Sequence, residues 1–175
     1  MSDLTVRPDP TEDGYTHINT QLKAKTKLGR LLALQFNVGE PIHHPLLGHF
    51  RTVQNMWCYL NTGGTRDSIR NMQPHQAINF MRLSQKYSCD KFRELIIDAT
   101  ILKLQTNSHY AQMMAESDLP FDHYYLQGED RLPIRPSHSS LYIGILNEVR
   151  EIMRGERQHE FVKFRDMNFT PIQEK

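Results

Sequence analysis

The chain of 175 residues has two cysteines and one tryptophan. Two cysteines are too few for a disulfide framework, and Cys58 and Cys89 lack metal-ligand spacing. Cys58 reads as a small buried hydrophobe, which fits a reduced, cytoplasmic setting. No apolar run approaches the ~20 residues of a membrane span. Met1–Pro10 lacks the charged-then-apolar form of a signal peptide. Charge imbalance is also missing: 21 Lys and Arg against 20 Asp and Glu leave a net charge of +1. That argues against a large non-specific nucleic-acid-binding surface but leaves room for local contact with a phosphate. Gly63-Gly64 has neither the dinucleotide fingerprint spacing nor the phosphate-loop ending. There is no nucleophile elbow and no Cys/His nucleophile signature. Repeats and low-complexity tracts are absent. With 38 % apolar and 23 % charged residues, the chain has an ordinary globular composition and is long enough for one domain with a real core.

What is present centres on Gly48 to Gly64. Phe50, Val53, Trp57 and Leu60 recur at helical spacing and predict one apolar face. Thr52 suits the N-cap and Gly63 the position just past the C-terminus. The polar pair Gln54-Asn55 falls in the first turn, where free N–H groups suit an anion. Before this helix, Met1–Gly14, with two prolines and several acids, predicts a loose arm. Tyr15–Asn19 alternates like a short strand. Gly39, Pro41, Pro45 and Gly48 break the stretch that follows Leu32.

After the helix, Thr65 or Asp67 caps a turn through Met72, and Pro74 opens a helix to about Leu83. Asp90 is expected to cap the longest helix, striped by Phe92, Leu95, Ile96, Ala99 and Leu102. Ser108–Glu116 reads as a short helix with Tyr110, Met113 and Met114 inward. Ser117–His138 reads as a loop. Ser139 or Ser140 caps a last helix lined by Leu141, Ile145, Leu146, Val149 and Ile152 and ended by Gly155. Residues 156–175 read as a strand or strap packed on the domain. The expected fold is α+β, mainly helical with a small sheet: an arm over 1–14, one domain over 15–155 and an extension over 156–175.

Among candidate functional residues, His43, His44 and His49 crowd a proline-rich loop with Glu40 as the one near acid, so hydrogen bonding is favoured over metal binding. Phe121–Tyr125 supports two readings of equal weight: an anchor for its loop, or a wall for a planar ring with a phenol as donor. Lys103 either snorkels or reaches a phosphate, as do Lys23, Lys25, Lys27 and Arg30. The bland reading of the N-terminal lysines is a solvated face.

Taken in order, four segments resemble the NADAR family, also described as YbiA-like, over Tyr15 to about Gly155. They are Ile18 to Leu32 with its Leu-Gly-Arg-Leu-Leu lead, Gly48 to Leu60, Ile69 to Arg82, and Leu119 to Tyr125. The resemblance implies an α+β fold and cleavage of N-glycosidic bonds to ribose. The implied substrates are phosphoribosylated intermediates and ADP-ribose attached to guanine in nucleic acid; phage members counter toxins that ADP-ribosylate DNA, which would put such a chain in the host cytoplasm. An oxocarbenium-like ribose C1′ needs a nearby carboxylate, and water needs a general base. The family supplies a glutamate from the helix corresponding to the one that holds Trp57.

The chain departs there. Gln54 occupies the family glutamate position and carries no charge. Ala33-Leu-Gln-Phe36 replaces a polar family segment, unless a shifted gap offers Asn37. Ile78 stands at a family lysine and Pro74 at a family glycine. The resemblance therefore implies an impaired catalytic position at Gln54 and ligand contacts from Trp57, Arg82, Lys103, Tyr124 and Tyr125. Another acid, Glu40, Asp98 or Asp122, would have to replace the lost one. The alternative is a pseudoenzyme that binds an ADP-ribose-like nucleotide, ADP-ribosylated nucleic acid or a protein partner. No metal, cofactor or membrane association is expected, and Trp57 and the Phe121–Tyr125 segment are expected to share one concave site.

Overall fold

The computed structural model describes residues 4–163, 165 and 167–173. In chain order the elements are β1 (Ile18–Asn19), α1 (Lys27–Leu31), β2 (Ile42–His44), β3 (Gly48–Phe50), α2 (Val53–Asn61), α3 (Pro74–Leu83), β4 (Tyr87–Cys89), α4 (Phe92–Gln105), α5 (Ser108–Glu116), β5 (Phe121–Asp122), β6 (Tyr125–Gln127), β7 (Leu132–Ile134), α6 (Ser139–Met153) and β8 (Phe169–Pro171). Short 3-10 turns cover Pro10–Glu12 and Asp67–Asn71. The protein is α+β, and its strands pair into four separate two-stranded sheets among the described residues instead of one small sheet. No helix among those residues is long and apolar enough to cross a membrane. The chain divides into two compact units: Met1–Phe36 with Asn107–Gln158 (unit 1), and Asn37–Thr106 with His159–Lys175 (unit 2).

In unit 1, β1 runs parallel to β5, with Ile18 opposite Phe121 and Asn19 opposite Asp122. The expected strand over Tyr15–Asn19 is cut short because the chain curls first. Gly14 adopts φ +92°, a value costly for residues with a Cβ, and its N–H donates to the His17 carbonyl at 2.7 Å. The end of the expected loose arm is folded in: Asp9 caps the turn at Pro10–Glu12, and Asp13 is buried. Thr26 caps α1 by accepting from the Gly29 N–H at 2.9 Å. Gly29 is required by close approach, since a Cβ there would lie 2.1 Å from the Asn19 carbonyl oxygen.

α6 buries Tyr142, Ile145, Leu146 and Val149, but Leu141, expected inward, is 38 % exposed. The stripe begins one residue later, at Tyr142, whose hydroxyl donates to the Leu32 carbonyl. His138, not Ser139 or Ser140, is the N-cap residue; Ser139 instead donates its hydroxyl to the His123 carbonyl at 2.8 Å. The stretch Ser117–His138 is not a plain loop, for it holds β5 and the β6–β7 hairpin. Strands of two or three residues are too short to display alternation. α5 spans Ser108–Glu116 as expected, with Met114 alone of its three apolar candidates fully buried.

In unit 2, the Thr52 hydroxyl and the Asn55 amide form a reciprocal capping box at the start of α2. Gly63, at φ +99°, follows its end. The helix is buried all along Val53–Leu60 and not on one face alone. α3 matches the expected Pro74–Leu83, while Arg66 rather than Thr65 or Asp67 precedes the 3-10 turn. α4 starts after Lys91 instead of an Asp90 cap and, at 14 residues, is shorter than the 15 of α6. Asp90 accepts from the Asn168 N–H at 2.9 Å, next to the antiparallel pairing of β4 with β8. The last described stretch is thus part of unit 2, as strap and strand.

The two helical glycines Gly29 and Gly144 are expected to respond oppositely to alanine. Gly29→Ala forces the β1 backbone away and should cost about 3 kcal/mol or more. Gly144 has no atom within 4 Å of an added Cβ, so Gly144→Ala should stabilise by about 0.5–1 kcal/mol. Denaturant unfolding of both variants checks the contrast.

Candidate functional site

Unit 1 holds a cavity of about 610 Å³, lined in part by Asp13, Asn19, Lys23, Lys25, Tyr125 and Arg131. Tyr124 also lines it. The cavity owes its shape to β1. The Asn19 N–H donates to Asp13 Oδ1 at 2.9 Å, and the Lys25 N–H donates to Asp13 Oδ2 at 2.8 Å. Asn19 Oδ1 accepts the Tyr124 N–H at 3.0 Å. One side chain and one backbone group of Asn19 thus fix the carboxylate and the tyrosine backbone together. Tyr124 is 1 % exposed, whereas Tyr125 is 43 % exposed; consecutive residues split between an anchored ring and an open one. Within Phe121–Tyr125, Phe121 and Tyr124 are buried and anchor the segment, while the Tyr125 ring is partly open to solvent. The Tyr124 hydroxyl shares a hydrogen bond of 2.8 Å with His17 Nε2. Burial first, and then the charge of Asp13, push its phenol pKa up, which keeps it a proton donor. Lys23, Lys25 and Arg131 are exposed at the edge, so this part of the N-terminal basic run borders a cavity.

His123, directly after β5, and His138, directly before α6, form a histidine pair. His123 Nδ1 is 3.0 Å from the Thr20 carbonyl, an acceptor, so Nδ1 carries the hydrogen. His123 Nε2 is then an acceptor, and His138 Nε2, at 3.3 Å, donates to it. Burial, then the neighbouring His138, pull the His123 pKa from 6.5 down to about 4. Burial lowers that of His138 as well.

Of the residues implied by the resemblance, Tyr124 and Tyr125 belong to unit 1, while Gln54, Trp57, Arg82 and Lys103 belong to unit 2. Gln54 is 7 % exposed and points its amide at Cys58 Sγ, 3.5 Å away. Its first-turn neighbour Asn55 gives its amide to the carbonyls of Ile69 and Met72 at 2.8 and 2.9 Å. Side chains thus use the polar start of α2 for structure. Trp57 packs edge-on against Phe92, with ring centroids 4.8 Å apart. Arg82 is exposed in the last turn of α3. Lys103 does not snorkel: it is 1 % exposed, and burial lowers its pKa from 10.5 to about 7. Burial likewise raises the Cys58 thiol to about 11, consistent with a packing role.

The acids considered as replacements for the missing glutamate are engaged or exposed. Asp122 pairs with Arg135 at 2.8 Å. Asp98 is fully buried and accepts from His44 Nε2 and His159 Nε2, both at 2.7 Å, and from the Val162 N–H at 3.0 Å. His44 Nδ1 takes the N–H groups of Leu46 and Leu47, so its hydrogen is on Nε2. Glu40 is exposed. His43 and His49 face each other across β2 and β3 with ring centroids 4.2 Å apart. The histidine loop is thus a hairpin that hydrogen-bonds, and among the described residues no group of three or more His, Cys, Asp or Glu is placed to hold a metal ion.

Sequence reasoning does not find Asp13 and Asn19 as site residues. Asp13 sits in a proline-punctuated segment without periodicity, and its burial depends on backbone donors six and twelve positions away. Its only local signal is the Asp13-Gly14 turn dipeptide. In comparisons with protein-family models, curated proteins and solved structures, the chain matches none.

The histidine pair sets a pH dependence. A His123 pKa near 4 in the folded protein, against the ordinary 6.5 of a solvated imidazole, means that the unfolded chain binds more protons between those values. Stability should be full above pH 6.5 and fall towards pH 4, by at most roughly 3 kcal/mol from this group. Denaturant unfolding across that window should show a flatter profile for His123→Gln than for the wild type.

Proposed function

We propose that this chain is a NADAR-like protein that accepts an ADP-ribose-type nucleotide or N-glycosidic adduct, with weakened N-glycosidase activity. The observation that carries this reading is the cavity of unit 1, about 610 Å³, within the roughly 300–1,000 Å³ of small-molecule sites. A nucleoside diphosphate ribose brings two phosphates and a planar base. Lys23, Lys25 and Arg131 at the rim suit the phosphates, and the open ring of Tyr125 suits a base. Substrates of this reading include ADP-ribosylated guanine in DNA.

Weak catalysis is what the resemblance implies: Gln54, at the family glutamate position, carries no charge and does not line the cavity, and Asp98 and Asp122 engage their acceptors with protein donors. The same observations favour a second reading, a non-catalytic relative that binds the nucleotide or a protein partner.

ADP-ribose should raise the melting temperature by mass action, because it binds the folded state. Tyr125→Ala and the double variant Lys23→Ala/Lys25→Ala should each shrink the shift. A folded protein with no shift at millimolar ADP-ribose would point to the protein-partner reading. Release of ADP-ribose from an ADP-ribosylated oligonucleotide should be slow, and Gln54→Glu should raise it only modestly, because residue 54 is buried beside Cys58 and is not among the residues that line the cavity. Turnover by the wild type at ordinary enzymatic rates would overturn the weakened-enzyme reading.

A further inference from the structure

We infer that Asp13 is the catalytic carboxylate for whatever N-glycosidic cleavage this chain performs; the inference rests on the nucleotide-binding reading of the unit 1 cavity. Three properties separate Asp13 from the other acids considered. It lines that cavity while being only 5 % exposed. Its partners are two backbone N–H groups, one on each oxygen, so each oxygen keeps a second lone pair. No cationic side chain is paired with it among the described residues, in contrast to Asp122 with Arg135. A buried carboxylate without a cation partner, on a residue that lines a cavity, is poised for positive charge that develops during a reaction.

Its position is fixed in advance. The turn at Gly14 with φ +92°, the bridge between Asp13 and His17 and the donor from Asn19 hold the carboxylate in one place. Preorganised groups of this kind require no rearrangement at the moment of reaction. Basic side chains at the same rim place phosphates, and hence the attached ribose, in the same cavity.

The chemistry is hydrolysis at ribose C1′. The C1′–N bond breaks, and its electron pair stays on the leaving nitrogen, which takes a proton from solvent. Asp13 faces the positive C1′ and accepts a proton from the attacking water. The water oxygen forms the new C1′–O bond, and Asp13 returns its proton to solvent. One water is consumed, and no oxidant or reductant takes part. The substrate class is a nucleoside diphosphate ribose joined to a base nitrogen.

The test follows release of ADP-ribose from an ADP-ribosylated guanine oligonucleotide under single-turnover conditions, with the ADP-ribose melting shift measured on the same samples. Asp13→Asn should slow release by about 10²-fold or more while keeping the melting shift. Equal rates for wild type and Asp13→Asn would overturn the inference. Melting shifts without release by the wild type would also overturn it and leave nucleotide binding standing. The absence of both would sink the binding reading and the role of Asp13 with it. Asn presents one N–H group where Asp presents an acceptor, so Asp13→Asn loses a backbone bond. Should it fail to fold, Asp13→Glu keeps charge and acceptors but displaces the carboxylate by one methylene. That variant must then lose release with the melting shift retained, and unchanged release would refute the assignment.

Discussion

The pairing of Asn19 with its surroundings is the constraint on which unit 1 rests. Its N–H goes to Asp13, its side-chain oxygen takes the Tyr124 N–H, and its carbonyl stands where no side chain at position 29 is tolerated. A two-residue parallel pair such as β1–β5 has little ladder to hold it, since parallel pairing is slightly weaker per residue than antiparallel. Side-chain-to-backbone bonds supply what the ladder lacks. The cavity is therefore a by-product of how a minimal sheet is secured. The groups that could meet a ligand belong to the same network that keeps the strand in register.

Unit 2 solves a different problem, a carboxylate inside an apolar helix bundle. α4 buries Asp98 among Leu95, Ile96, Ile97, Ala99 and Ile101, where an unpaired charge would be costly. Donors arrive from two distant stretches of chain, His44 in β2 and His159 with Val162 near the end. The locked tautomer of His44 makes it a donor towards Asp98. Polar satisfaction here acts as a fastener between chain segments more than as a functional group.

Local signals make much of the helical frame legible. Thr52, Gly63, Pro74 and Gly155 act where capping chemistry expects them, and α3 and α5 have the anticipated bounds. The stripe of α6 is offset by one residue at its start, because Leu141 and Tyr142 are equally apolar by pattern and only tertiary contact separates them. The strands inside Ser117–His138 carry too few residues for a period. Non-local partners are out of reach altogether. Nothing in sequence joins His44 to Asp98, and Asp13 looks like part of an acidic arm. Lys103 shows the same limit: a lysine on an apolar stripe reads as amphipathic, yet its environment removes water from the whole side chain.

The donors to Asp98 give the strap after Gln158 an importance that its modest packing hides. Two of the three groups that solvate this carboxylate, His159 Nε2 and the Val162 N–H, lie on that strap. The strap acts as a built-in substitute for water over the one acid at the centre of α4. Peeling it back would leave the core with a solvation debt, so strap and helix should come apart together, as one cooperative event.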